Sequence, residues 1–135
     1  MYLAQFDQEK KQLFLELDLW VAQCDRDFAD EEQFLIDAHC AEMNIGNNNY
    51  EIHMDFDSII ARMRAVFAPA ELRMAFLEIL TMTMADDVIV PAEQQMLERV
   101  RDALELGPDA IERGKAALVA YREANEKLFT FIDGI

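Results

Sequence analysis

Two acidic turns carry the residues best suited to chemistry. One is Ala85-Asp86-Asp87-Val88-Ile89-Val90-Pro91-Ala92-Glu93. The other is Cys24-Asp25-Arg26-Asp27-Phe28-Ala29-Asp30-Glu31-Glu32. Each reads Asp, an apolar residue three on, and Glu seven on: Asp25/Phe28/Glu32 and Asp86/Ile89/Glu93. Carboxylates gathered at one turn repel unless solvent or a cation intervenes. Hard divalent cations prefer oxygen ligands, and Ca²⁺ tolerates irregular geometry. Were pseudo-symmetry to bring the turns together, Asp25, Glu32, Asp86 and Glu93 would line one acidic surface. That surface would suit Ca²⁺, Mg²⁺ or Zn²⁺, with Asp27, Asp30 and Asp87 as secondary ligands.

The loops are not EF-hands. Such a loop needs an acid at its fifth position, Gly at its sixth and Glu at its twelfth. Counting from Asp25, these are Ala29, Asp30 and Ile36; from Asp86 they are Val90, Pro91 and Leu97. A purely structural role is the alternative. With Ala29 and Val90 as N-caps, Asp30 and Pro91 stand at the first helical position, where Pro is favoured. Glu32 and Glu93 then stand at the third, facing free backbone N–H groups and the positive helix end. Capping and cation binding both stay open on spacing alone.

Helices must position these turns. Asp7 caps the first, with Glu9 in its first turn. Leu13, Phe14, Leu17, Trp20, Val21 and Cys24 form its apolar stripe, opposite Lys10, Lys11, Glu16 and Gln23. Leu35, Ile36, His39, Cys40 and Met43 mark the second, which Gly46 can end in a left-handed conformation. The stretch through Ile52, Met54 and Phe56 is a connector. Asp55 or Asp57 starts a third helix, and Pro69 opens a fourth carrying Leu72, Ala75, Phe76, Ile79 and Leu80. Met96, Leu97, Val100 and Leu104 define a fifth, stopped at Gly107-Pro108. Asp109 caps a long sixth helix, weakened near Gly114.

The helices repeat. Phe14-Leu15-Glu16-Leu17 matches Phe76-Leu77-Glu78-Ile79 at an offset of 62, and the turns with their following helices match at 61. The expected fold is therefore all-α: a compact bundle of about six helices, built from two pseudo-repeated helix-turn-helix units plus a long C-terminal helix packed across them. At 135 residues, 1–135 form a single domain.

Composition narrows the function. The formal charge of −15 supplies no basic groove, so nucleic-acid binding is excluded and an anionic membrane surface is disfavoured. A cation or a positively charged protein partner is accommodated more easily, although such charge also simply keeps a helical protein soluble. No run reaches a membrane span and no signal peptide is evident, which with reduced Cys24 and Cys40 suggests a cytoplasmic protein.

Other candidates are weaker. His39 lies on an apolar face and corresponds to Val100 in the second unit, which favours a core or interface histidine over a ligand. His53 stands isolated in the connector. Ser58 is the only serine and has no Gly-rich elbow. No catalytic set is recognisable, so an enzyme is not expected. Leu128-Phe129-Thr130-Phe131-Ile132 reads as buried across the bundle, the alternative being a docking surface, for example for a homodimer.

A helix, Ala-Asp-Gly-x-Ile-x-x-x-Glu, and a second helix, occurring twice in a small acidic domain, resembles the tellurite-resistance TerB family, to which the N-terminal region of DjlA-type co-chaperones is related. Ala85, Asp86, Ile89 and Glu93 carry the resemblance, and more loosely Asp25, Phe28 and Glu32. Arg26 and Asp87 stand where the family has Gly. The resemblance implies a non-enzymatic helical domain linked to chemical stress, binding divalent metal through its acids. A pure protein-interaction adaptor, with the acids acting only as helix caps, and an acidic nucleic-acid mimic are the competing readings.

Overall fold

The first helix is the axis of the molecule. In the computed structural model, which describes residues 1–24, 28, 30–84 and 90–134, α1 spans Gln8–Ala22 and α2 Asp30–Met43. Then follow α3 (Phe56–Val66), α4 (Pro69–Thr83), α5 (Pro91–Ala103) and α6 (Ala110–Asp133). A single helical turn at Leu3–Gln5 precedes α1, and another at Asn48–Tyr50 lies in the α2–α3 connector. Among the described residues there is no strand, and the all-helical bundle expected from the sequence is what is observed.

α1 packs against α2, α3, α4 and α5. Every residue from Leu13 to Leu19 is consequently buried, including Glu16 and Asp18. The reading of Glu16 as part of a polar face is thus corrected. A helix enclosed on all sides has no solvent face, whatever period its charges keep. Its sequence signal is the near-continuous apolar run Leu13-Phe14-Leu15-Glu16-Leu17-Asp18-Leu19. Phe14, Leu17, Ile36, Met43, Ile79 and Leu97 meet in the core. Truncating one such leucine to Ala costs about 2–5 kcal/mol.

Local signals set most helix starts. The Asp7 carboxylate accepts from Lys10 N–H at 3.0 Å. Asp55, rather than Asp57, caps α3 by accepting from Ser58 N–H. Pro69 and Pro91 open α4 and α5 at their first positions, where a missing N–H costs nothing. Asp109 occupies the N-cap position of α6 without a side-chain cap bond.

Two helix ends differ from expectation. Gly46 is not left-handed; Asn44 is, at φ 57°. Asn44 N–H donates to Ala41 C=O and Ile45 N–H to Cys40 C=O. These two bonds close a Schellman motif two residues before the glycine. The second unit does the same at its equivalent position. Glu105 is left-handed at φ 55°, with Glu105 N–H on Asp102 C=O and Leu106 N–H on Arg101 C=O.

The long helix differs too. α6 runs unbroken through Gly114, and the lack of a side chain there lets α4 come close: a Cβ on Gly114 would lie 2.4 Å from Leu80 Cδ1. Ile111 and Leu118 are buried. Beyond them the helix leaves the bundle, and Leu128, Phe129, Phe131 and Ile132 are 60–84% exposed. The expectation that this end is buried is therefore wrong. α4 is shorter than α6, and among the described residues the last turns of α6 stand exposed.

Candidate functional site

The acidic turns are described in part. Asp25, Asp27, Asp86 and Asp87 lie outside the described residues. Asp30 is exposed at the first position of α2, and Glu32 is half-buried at the third. Val90 is the N-cap of α5, extended at φ −74° and ψ 155°, which places Glu93 at the third helical position. Glu32 and Glu93 thus occupy equivalent places, at helix starts whose free N–H groups favour an acid. Among the described residues, no group of three or more His, Cys, Asp or Glu side chains is arranged to hold a metal ion.

A second constellation lies in the core. His39, on α2, has its Nδ1 at 2.6 Å from Asp18 Oδ2 on α1. Its Nε2 lies 3.8 Å from Glu78 Oε2 on α4. Asp18 is fully buried, and its Oδ1 has no hydrogen-bond partner. Glu78 Oε1 accepts from Tyr2 N–H at 2.9 Å and lies 2.7 Å from the Met1 ammonium. That ammonium also donates to Glu42 Oε1, while Leu3 N–H donates to Glu42 Oε2, both at 2.7 Å. One polar cluster therefore ties α1, α2, α4 and the segment before α1 together.

Protonation follows from these contacts. Burial pushes the Asp18 carboxyl up, and the His39 charge only partly reverses this. Burial alone would lower His39, but the Asp18 charge and hydrogen bond, with Glu78 and Glu42 beyond, leave it above the ordinary histidine range. Burial also pushes the Cys40 thiol up to about 11, keeping it protonated and unreactive. Cys40 is a buried free thiol.

Glu16, the repeat counterpart of Glu78, is buried in the same manner. It accepts from His53 N–H at 2.9 Å and lies 3.2 Å from His53 Nδ1. His53 is therefore not isolated. Each glutamate sits midway along the first helix of its unit and anchors an irregular segment through a backbone N–H. His39 is a core histidine, as its apolar neighbours indicated. Its acidic partners were not foreseen, because Asp18 and Glu78 each fall between leucines and isoleucines on helices read as one-sided. Neither the groove between α4 and α6 nor the one beside the α6 end is lined by Asp18, His39 or Glu78. A buried Asp–His pair that opens on neither groove has the geometry of a structural link.

The family profile described as "Tellurite resistance protein TerB" matches residues 43–116, more than half of the chain. The chain belongs to the TerB family. The matched span runs from the end of α2 through α3, α4 and α5 into α6. It contains Ala85, Asp86, Ile89 and Glu93, whereas Asp25, Phe28 and Glu32 of the first turn lie outside it. Comparison with curated proteins and with solved structures returned no match. Among the described residues of this TerB-family chain, no helix is long and apolar enough to cross a membrane.

Proposed function

We propose that this TerB-family chain is a non-enzymatic binding domain with a role in chemical-stress response. Its acidic turns take up a divalent cation (Ca²⁺, Mg²⁺ or Zn²⁺) and present an acidic face to a protein partner. The observation that supports this reading is the equivalence of Glu32 and Glu93. Each follows a turn that brings an Asp seven residues earlier, and each stands at the third position of its helix. Carboxylates repeated in this way make a donor set suited to a hard cation. Isothermal titration with each metal tests it. Saturable binding that weakens in Asp86→Asn with Glu93→Gln is expected; no heat at millimolar metal overturns the cation reading.

The adaptor reading has its own support. Acids at the third helical position satisfy free N–H groups without any metal. In that case partner recovery in a pull-down is unchanged by chelator, and the double variant loses helix stability rather than affinity.

A further inference from the structure

The exposed end of α6 continues a stripe that the bundle already uses. Ile111, Gly114 and Leu118 share one line of α6 and are buried or half-buried, with Gly114 set against Leu80 of α4. Tyr121, Asn125, Leu128 and Ile132 extend the same line at alternating spacings of three and four. That is the spacing of a two-helix seam, with Asn125 as a single polar residue of the kind that fixes register between paired helices. Tyr121, Leu128 and Ile132 are 53%, 60% and 71% exposed. The stripe thus runs on past Leu118, the last buried residue of α6, for roughly 20 Å at 1.5 Å per residue.

Charge indicates what covers it. The chain as a whole carries −15. α6 is neutral: Glu112, Glu123, Glu126 and Asp133 are matched by Arg113, Lys115, Arg122 and Lys127. The whole of that excess lies outside α6, so over most of the remaining surface two copies would set net acid against net acid. Along α6 they would not, and Ala124, Phe129 and Phe131, which flank the seam, carry no charge to oppose its own copy. We propose that this stripe is a self-association surface, occupied by α6 of a second copy. The pairing is isologous, each copy offering the same face. An antiparallel order sets the two acidic bodies at opposite ends of the helix pair.

A groove adjoins the stripe. It has a volume of about 360 Å³ and is lined by Thr81 and Met84 from the α4 end and by Tyr121, Asn125 and Phe129 from α6. A stable dimer buries at least about 1,200 Å² in total. A bare helix pair of this length falls short, and the groove adds apolar surface where the partner's end lies. This inference does not depend on the acidic turns.

Light scattering of the full chain across a concentration series tests it, with circular dichroism as a check on folding. The expected result is a dimer mass that becomes more populated as salt screens the two acidic bodies. Leu128→Glu with Ile132→Glu alters only exposed side chains, so the monomer stays helical and the dimer is lost. Glu123→Gln, on the opposite side of α6, leaves the dimer intact. A monomer at every concentration and salt overturns the proposal, as does a dimer that survives the double glutamate variant. A monomer that binds phosphatidylcholine vesicles through the same residues overturns it in favour of a lipid surface.

Discussion

The two helix pairs follow one plan and differ at their centres. In the first, α1 meets α2 through buried Asp18 and His39. In the second, the corresponding positions are Leu80 and Val100, both buried and apolar. Around them the units agree. Glu16 and Glu78 are both buried and both anchor incoming backbone. Asn44 and Glu105 both end the second helix in a left-handed residue. The shared scaffold therefore does not require an ion pair at its centre, since the second unit is built without one. What distinguishes the first unit is its place: α1 is surrounded, and its pair faces Glu78 of the other unit.

The largest expected effect comes from breaking that pair on one side. His39→Val leaves the Asp18 carboxylate buried and unmatched, costing about 3–5 kcal/mol in a urea melt. Asp18→Leu with His39→Val rebuilds the apolar centre of the second unit. It should recover the loss and exceed the parent by up to about 1–4 kcal/mol. A double variant as unstable as the single one would show that the first unit needs the pair for its geometry.

Next come the anchoring glutamates. Glu16→Leu frees the His53 N–H, and Glu78→Leu frees the Tyr2 N–H and one side of the Met1 ammonium. Each should cost about 1–3 kcal/mol in thermal or urea melts. Equal losses would confirm that the two sites are functional counterparts. A much larger loss at Glu78 would assign the difference to its further partners, His39 and the Met1 ammonium.

A pH series comes third. His39 has a raised value in the folded state, so its contribution is complete below the ordinary histidine range and is lost as pH rises through the folded value. Asp18 is also raised, so the folded chain binds its proton more tightly as well. Both make stability fall with rising pH, from the ordinary carboxylate range up through the raised histidine value. Melting temperatures across that window should fall in the parent and flatten in Asp18→Leu/His39→Val.

The smallest effect is at the helix ends. A left-handed Glu is strained where Gly is not, whereas Asn tolerates the conformation better. Glu105→Gly should gain about 1 kcal/mol and Asn44→Gly less. Glu105 also pairs with Arg64, but both side chains are exposed and the pair adds little.

Much of this architecture was legible in particular residues. Asp7, Asp55, Pro69 and Pro91 mark helix starts because capping is a local matter, settled by one side chain and a few free N–H groups. The repeat announced itself in Glu16/Glu78 and Glu32/Glu93, whereas the left-handed Asn44 and Glu105 did not, since Gly46 and Gly107 looked like the natural stops. The burial of Glu16 and Asp18 was not legible, since a one-sided stripe was assumed for a helix that is enclosed. Nor was the exposure of Leu128 and Phe131: apolar spacing shows that a face wants covering, not that the same chain covers it. Of the candidate cation ligands, Glu32 and Glu93 stand at helix starts, as the capping reading placed them, while Asp25 and Asp86 lie outside the described residues.

By itself the sequence determined six helices, their starts, their duplication and their membership of the TerB family. All of these depend on contacts between residues close along the chain, or on spacing repeated within it. Only the tertiary structure decided that α1 is the enclosed axis, that His39 meets Asp18 and Glu78 across three helices, and that α6 outruns the bundle. Those outcomes depend on how long each helix is relative to its neighbours and on which face each one turns inward. Both are set by packing among segments far apart in the chain.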